Sequence, residues 1–166
     1  MTTEDSWVSC VVALGTNLGN REDIAFRALA DLAATEGFRV TAASSLHETV
    51  ALGPDGPNPD APAYVNQVIL LESAWSAEKT LEHFMDIERQ HGRERTGERY
   101  ADRTLDLDLI LYGDRVSDDP FVTTPHPRAH QRRFVLEPWQ EIDPDATLPR
   151  HGPISQLLAS LPPNPS

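Results

Sequence analysis

Residues 7–14, WVSCVVAL, form a continuous apolar run of strand length, which predicts a buried strand. Gly15-Thr16-Asn17-Leu18-Gly19-Asn20 follows as a turn. Asn20 can cap a helix that opens with Glu22 and Asp23, where the helix dipole favours acids. Ile24, Ala25, Ala28, Leu29 and Leu32 make one helical stripe, and Gly37 ends it. Alternation of Phe38, Val40, Ala42, Ser44 and Leu46 predicts a second strand over 38–49, and YVNQVILLE predicts a third over 64–72. Residues 76–91 read as a second helix, with Ser76 as N-cap, Gly92 just past the end, and Leu81, Phe84 and Met85 as its apolar face. TLDLDLILY, 104–112, is a fourth strand. Short helices are expected near 128–135 and 153–161.

Strand, helix, strand, strand, helix, strand is the order of the split βαβ arrangement. The expected fold is therefore α+β: a ferredoxin-like βαββαβ core, an antiparallel sheet with helices packed on it, and an irregular C-terminal extension. Two long loops interrupt this plan. Residues 50–63 hold four prolines and two glycines, and residues 92–103 separate the second helix from the fourth strand. Loops of this length inside a compact domain are commonly functional, and both are expected to be lids over an active site.

The chain has 166 residues, 39% hydrophobic and 24% charged. This is the size of one domain, 1–166, with ends fraying at 1–6 and 162–166. No apolar run approaches the ~18 residues of a membrane span, and the acidic start does not read as a secretory signal. One cysteine, Cys10, excludes a disulfide framework; it reads as a core residue in a protein of the reducing cytoplasm.

Charge adds something that periodicity does not. The net charge of −12 argues against nucleic acid as a partner. Of fourteen cationic side chains only Lys79 is a lysine, and eight of the arginines lie in 89–103 and 128–133. Arginine recognises phosphate in bidentate fashion, so an acidic chain that gathers its arginines points to a local anionic ligand. Interleaved Glu94, Glu98 and Asp102 allow the blander reading of solvated ion pairs.

Leu105-Asp106-Leu107-Asp108-Leu109 is the strongest constellation. Alternation sends the leucines to one face and both aspartates to the other, with Cα atoms roughly 7 Å apart. Two carboxylates so placed can converge on a hard cation, and Mg²⁺ is commonly held by one or two carboxylates together with substrate phosphates. Aspartate is a poor strand former, so two in one apolar strand need a reason. Glu88 lies four residues after Phe84 and seven after Leu81, on the apolar side of its helix, where a carboxylate must be paired or perturbed. A nearby arginine such as Arg93 or Arg95 is a candidate partner. Arg93, Arg95, Arg99 and Arg103 lead directly into the aspartate strand, a combination suited to phosphoryl transfer. Neither a Walker A sequence nor a G-x-G-x-x-G helix opening is present.

These residues together resemble the 6-hydroxymethyl-7,8-dihydropterin pyrophosphokinase family. The resemblance runs from about Val8 to Leu161 and is carried by Ala13-Leu14-Gly15-Thr16-Asn17-Leu18-Gly19, Tyr64-Val65-Asn66, Glu88 with Gly92-Arg93, Arg103-Thr104-Leu105-Asp106-Leu107-Asp108, Pro125-His126-Pro127-Arg128 and Arg132-Arg133-Phe134-Val135-Leu136. It implies transfer of pyrophosphate from ATP to a pterin alcohol, with a reduced pterin and ATP as partners, no membrane and a monomeric state. It also implies two Mg²⁺ ions bound with ATP on Asp106 and Asp108. Tyr64 and Phe134 would sandwich the pterin, while Gly15, Thr49, Leu52 and Asn66 would line its edge. Glu88, Arg95, Tyr100, Leu109, Thr123, His126 and Arg132 would hold the nucleotide. Arg93, Arg103 and His126 would act on the transferring group.

The chain departs from the family pattern at Val50-Ala51, at Tyr100-Ala101-Asp102 where Trp-Gly-Pro is common, and at Met85, where a polar nucleotide contact is sometimes found. A paralogue acting on a different pterin alcohol, or a pterin- and nucleotide-binding protein without turnover, are the alternative readings.

Overall fold

The computed structural model describes residues 7–16, 21–49, 52–53, 56–57, 64–93 and 105–161; of Arg21, Thr49, Leu52, Gly53, Gly56, Pro57, Tyr64, Gly92 and Arg93 it describes the backbone only. The principal elements are β1 (Val8–Thr16), α1 (Arg21–Ala34), β2 (Phe38–Ala43), β3 (His47–Thr49), β4 (Leu52–Gly53), β5 (Gly56–Pro57), β6 (Tyr64–Ser73), α2 (Ala77–Arg93) and β7 (Leu105–Tyr112). After these come β8 (Ser117–Asp118), β9 (Thr123–Thr124), a 3-10 turn (Ala129–Gln131), α3 (Arg133–Ile142), β10 (Thr147–Leu148), β11 (Gly152–Pro153) and α4 (Ile154–Ser160).

The main sheet runs β2-β6-β1-β7, and every neighbouring pair is antiparallel. Its two central strands, β6 and β1, are the third and first of the βαββαβ series, which is the ferredoxin-like order. β3 continues along the same edge of β6 as β2.

Period-two alternation divides the core between two faces. Cys10, Val12 and Leu14 with Leu105, Leu107 and Leu109 pack against α1 and α2. Val11, Val68 and Ile110 pack against Val135, Leu136 and Trp139 of α3, with Ile154 and Leu158 of α4. Burial pushes the Cys10 thiol up to about 12, so it is an inert core group, as the sequence indicates. Gly37 adopts φ +90°, and a Cβ there would run into the Trp75 indole, whose Nε1 donates to Glu36 O at 2.8 Å. Only glycine meets both conditions. Among the described residues no helix is long and apolar enough to cross a membrane.

Several boundaries differ from the sequence-based expectation. The strand expected over 38–49 is broken at Ser44–Leu46. Ser44 explains the break: its N–H donates to Val68 O at 2.9 Å, its Oγ accepts from Val68 N at 3.0 Å, and its carbonyl accepts from Gln67 Nε2 at 2.8 Å. Leu46, expected on the apolar side, is exposed. Ser76 caps α2 as expected, its Oγ accepting from Lys79 N at 3.1 Å, but Gly92 lies inside the helix and Met85 is exposed. The helix expected over 128–135 is a 3-10 turn followed by the longer α3, which runs through Pro138. The expected loop 50–63 contains the short strands β4 and β5. Most of the 92–103 loop lies outside the described residues.

Candidate functional site

On the α3 face, one row of residues crosses the sheet near the end where β1 stops and β7 begins. Asn66 of β6 is opposite Gly15 of β1, and Gly15 is opposite Asp106 of β7. In the next row Val68 and Asp108 flank Ala13. Two strand spacings separate Asn66 from Asp106, about 10 Å. Gly15 keeps the floor between them low: a Cβ at this position would come within 3.3 Å of Asn66 Oδ1. Asn66 is buried, and its Nδ2 reaches His47 O across the register at a long 3.5 Å.

Asp106 is exposed and Asp108 half-buried, between the buried leucines 105, 107 and 109. The predicted separation of faces therefore holds. β7 is an edge strand, and its outer edge is occupied by two different groups. Glu88 Oε2 accepts the backbone N–H of Leu107 at 2.7 Å. Farther along, Ile110 O accepts the backbone N–H of His126 at 3.0 Å. Burial holds the Glu88 carboxyl above its ordinary range; the Leu107 N–H opposes this, while the charges of Asp106 and Asp108 add to it. The expected perturbation of Glu88 is present, and its described partner is the Leu107 backbone amide; the Arg93 side chain and Arg95 lie outside the described residues.

The turn after β9 brings a second group of expected residues to Asp108. Arg132 Nη1 lies 3.9 Å from Asp108 Oδ2, and its guanidinium carbon is 5.4 Å from the centre of the half-exposed Phe134 ring. Burial lowers the His126 imidazole below its ordinary pKa; the negative charge of Asp108 opposes this and Arg132 and Arg128 reinforce it. His126 Nδ1 accepts the Arg128 backbone N–H at 3.2 Å, so the proton of the neutral ring sits on Nε2. Thr123 Oγ1 donates to Asp119 O at 2.8 Å, which leaves its oxygen lone pairs for a further donor.

Neighbouring arginines divide their work. Arg133, beside Arg132, pairs with Glu137 at 2.8 Å and donates to the carbonyls of Leu158 and Leu161, each at 3.2 Å. It closes the end of α4 and is structural. Leu109, expected beside the nucleotide, has its side chain in the α1–α2 core, so contact with a ligand would fall to its backbone. Thr49 stands opposite Tyr64 where β3 pairs with β6, and Leu52 opens the small β4–β5 pairing. Arg95, Tyr100 and Arg103 lie outside the described residues, as does the side chain of Arg93.

The sequence reading missed Glu141. This exposed residue of α3 accepts from Ser45 N, Ser45 Oγ and His47 Nε2, each at 2.8 Å. Those bonds, with His47 first, hold its carboxyl down at about 2. Nothing local in the sequence marks it, because its partners lie more than ninety residues away.

Asp106 and Asp108 supply hard oxygen donors from one strand face, suited to a small divalent ion that takes its remaining ligands from substrate and water. Among the described residues no group of three or more His, Cys, Asp or Glu side chains is gathered so as to hold a metal alone.

Comparison with known proteins fits this geometry. The family model described as 7,8-dihydro-6-hydroxymethylpterin-pyrophosphokinase matches residues 11–144. The chain is 42% identical over 149 residues to a 2-amino-4-hydroxy-6-hydroxymethyldihydropteridine pyrophosphokinase of Synechocystis sp., covering 89% of this chain and 73% of that one. It is 34% identical over 151 residues to the protein of the same name in Haemophilus influenzae, covering 91% of each. Among solved structures, wild-type Plasmodium falciparum HPPK-DHPS with pterin and p-hydroxybenzoate superposes with a TM-score of 0.70 at 12% identity, over 96% of this chain and 43% of the longer one. The fold, the ordered motifs and these relatives agree that the chain belongs to the 7,8-dihydro-6-hydroxymethylpterin-pyrophosphokinase family.

Proposed function

We propose that this protein transfers the pyrophosphoryl group of ATP to the hydroxymethyl oxygen of 6-hydroxymethyl-7,8-dihydropterin, giving AMP and the pterin diphosphate. The observation that carries the reading is the row Asn66–Gly15–Asp106. It sets an amide able to read a heterocycle edge about two strand spacings from a carboxylate able to hold a phosphate-bound cation.

Each side of the row then has its own chemistry. Asn66 would meet the pterin edge with an amide that carries both a donor and an acceptor, Thr49 stands in the strand beside β6, and Leu52 is expected to join them. Phe134 presents an exposed ring for stacking, with Tyr64 as its expected counterpart. Asp106 and Asp108 would hold two Mg²⁺ ions together with ATP. Bound there, Mg²⁺ supplies charge neutralisation on the phosphate oxygens. Arg132 neutralises charge beside Asp108, and neutral His126 can donate from Nε2 to a phosphate oxygen. Arg95 and Tyr100 would hold the nucleotide, and Arg93 and Arg103 would stabilise the transferring group. Attack by the pterin hydroxyl oxygen on the β-phosphorus breaks the bond to the oxygen bridging the α-phosphate, so AMP leaves with that oxygen, the hydroxyl proton is released to water, and no covalent enzyme intermediate forms. The site is read as complete in one chain, acting as a monomer in the cytoplasm.

The test is product identity. Incubation with ATP, Mg²⁺ and the hydroxymethyl pterin should yield AMP in step with pterin diphosphate. ADP in place of AMP would make the protein a simple kinase, and turnover only with a different pterin alcohol would reassign the substrate.

A further inference from the structure

The break between β2 and β3 is fastened from the far end of the chain. Ser44 ties the break to β6, and the next residues, Ser45 and His47, bind one carboxylate, that of Glu141. A lone exposed ion pair contributes little. Three donors converging on one carboxylate fix a geometry, because each bond restricts the freedom of the others.

What this geometry fixes is the pterin side of the site. His47 opens β3 opposite Asn66, and Thr49 closes it opposite Tyr64. The His47 carbonyl also faces the Asn66 amide nitrogen. Glu141 stands near the C-terminal end of α3, and Phe134 stands in its first turn. Seven residues of helix separate them by about 10 Å. One helix thus carries the exposed aromatic ring at one end and the anchor of β3 at the other.

We infer that Glu141 is a positioning residue for the pterin: through Ser45 and His47 it sets β3 at a fixed distance from Phe134. This rests on the functional reading above. Glu141 touches neither substrate, and its contribution is preorganisation of a pocket that would otherwise be ordered at the expense of binding.

Steady-state kinetics with each substrate varied in turn, together with hydrogen exchange on the free protein, test the inference. In Glu141→Ala the KM for the pterin should rise about tenfold while the KM for ATP changes less than about twofold. Glu141→Gln, which keeps one acceptor oxygen, should restore part of the loss, and His47→Phe should reproduce part of it. Amides of His47–Thr49 should exchange faster in Glu141→Ala. Glu72→Gln, which breaks the Arg39–Glu72 pair between β2 and β6, is the control and should leave the pterin KM unchanged. An unchanged pterin KM in Glu141→Ala, or equal rises in both KM values, overturns the positioning role in an active enzyme. A wild-type chain that makes no AMP from the pterin overturns the functional reading, and with it the pterin as the molecule positioned.

Discussion

Glu88 accepts the backbone N–H of Leu107 at 2.7 Å, the amide between Asp106 and Asp108. A helix side chain therefore pairs the open edge of the strand that carries both aspartates. An unpaired edge amide in a partly buried position costs stability and lets the strand shift. Glu88→Gln keeps an acceptor oxygen and removes one negative charge beside two others, so it should remain folded with a near-normal melting temperature. Glu88→Leu leaves the amide without a partner and should cost about 1–3 kcal/mol. Thermal unfolding of both variants decides this; equal melting temperatures would mean that solvent replaces the carboxylate without penalty.

Asp106→Ala and Asp108→Ala should separate chemistry from folding. Both side chains leave the α1–α2 core face, so far-UV spectra and melting temperatures should stay near those of the wild type. Loss of a metal-holding carboxylate should cost several kcal/mol of transition-state stabilisation, about a thousandfold in rate. Near-normal AMP production by both variants at ordinary Mg²⁺ would remove the metal assignment.

Gly15→Ala tests the floor of the site. The added methyl carbon would come within 3.3 Å of Asn66 Oδ1, so the amide must yield by a few tenths of an ångström. Pterin affinity should fall by about 1 kcal/mol, as for a hydrogen bond made at poor geometry, while ATP affinity holds. Phe134→Ala should show the same selectivity and a larger loss, about 1–3 kcal/mol on the scale of base–aromatic stacking. Calorimetric titration with each ligand measures both. Loss of ATP affinity with pterin affinity retained would exchange the two sides.

Glu141 predicts a feature of acid unfolding. Its carboxyl is held at about 2 against an ordinary 4.5, so between these values the folded state binds fewer protons than the unfolded state. The stabilisation is present above about pH 4.5 and disappears as the pH falls towards about 2. The side chain is 39% exposed, so solvent screens the interaction and the effect is smaller than the displacement implies. The difference in melting temperature between wild type and Glu141→Gln should shrink across that window, and a constant difference would show that the carboxylate gains nothing from its charge.

Local periodicity made part of this structure legible in advance. Alternation over Leu105–Leu109 separated the aspartates from the core, and the apolar stripes of α1 and α2 gave the βαββαβ order. Gly15, Asn66, Asp106 and Asp108 fall on one face because register follows from that alternation. Expectation and structure part where a tertiary contact overrides a local signal. Ser44 has the parity of a strand residue, yet its side chain and backbone both bind β6 and the strand stops. A helix ending before Pro138 is the natural reading, because proline lacks the donor for the Phe134 carbonyl; burial of Val135, Leu136 and Trp139 carries α3 past it. Glu88 was marked by its position on an apolar stripe. Its partner was not, since the acceptor needs only a backbone amide and any sequence supplies one.

The Ser45–Glu141 contact spans ninety-six residues, which gives assembly of this pocket an order in time. Contacts so distant in sequence form only after the intervening chain has been closed into a loop. As the chain grows from its N-terminus, β3 exists well before the helix that fastens it. The pterin side of the site should therefore be among the last parts to become competent. A growing chain halted between β7 and α3 would carry both aspartates and Asn66, but neither Phe134 nor the carboxylate that fastens β3.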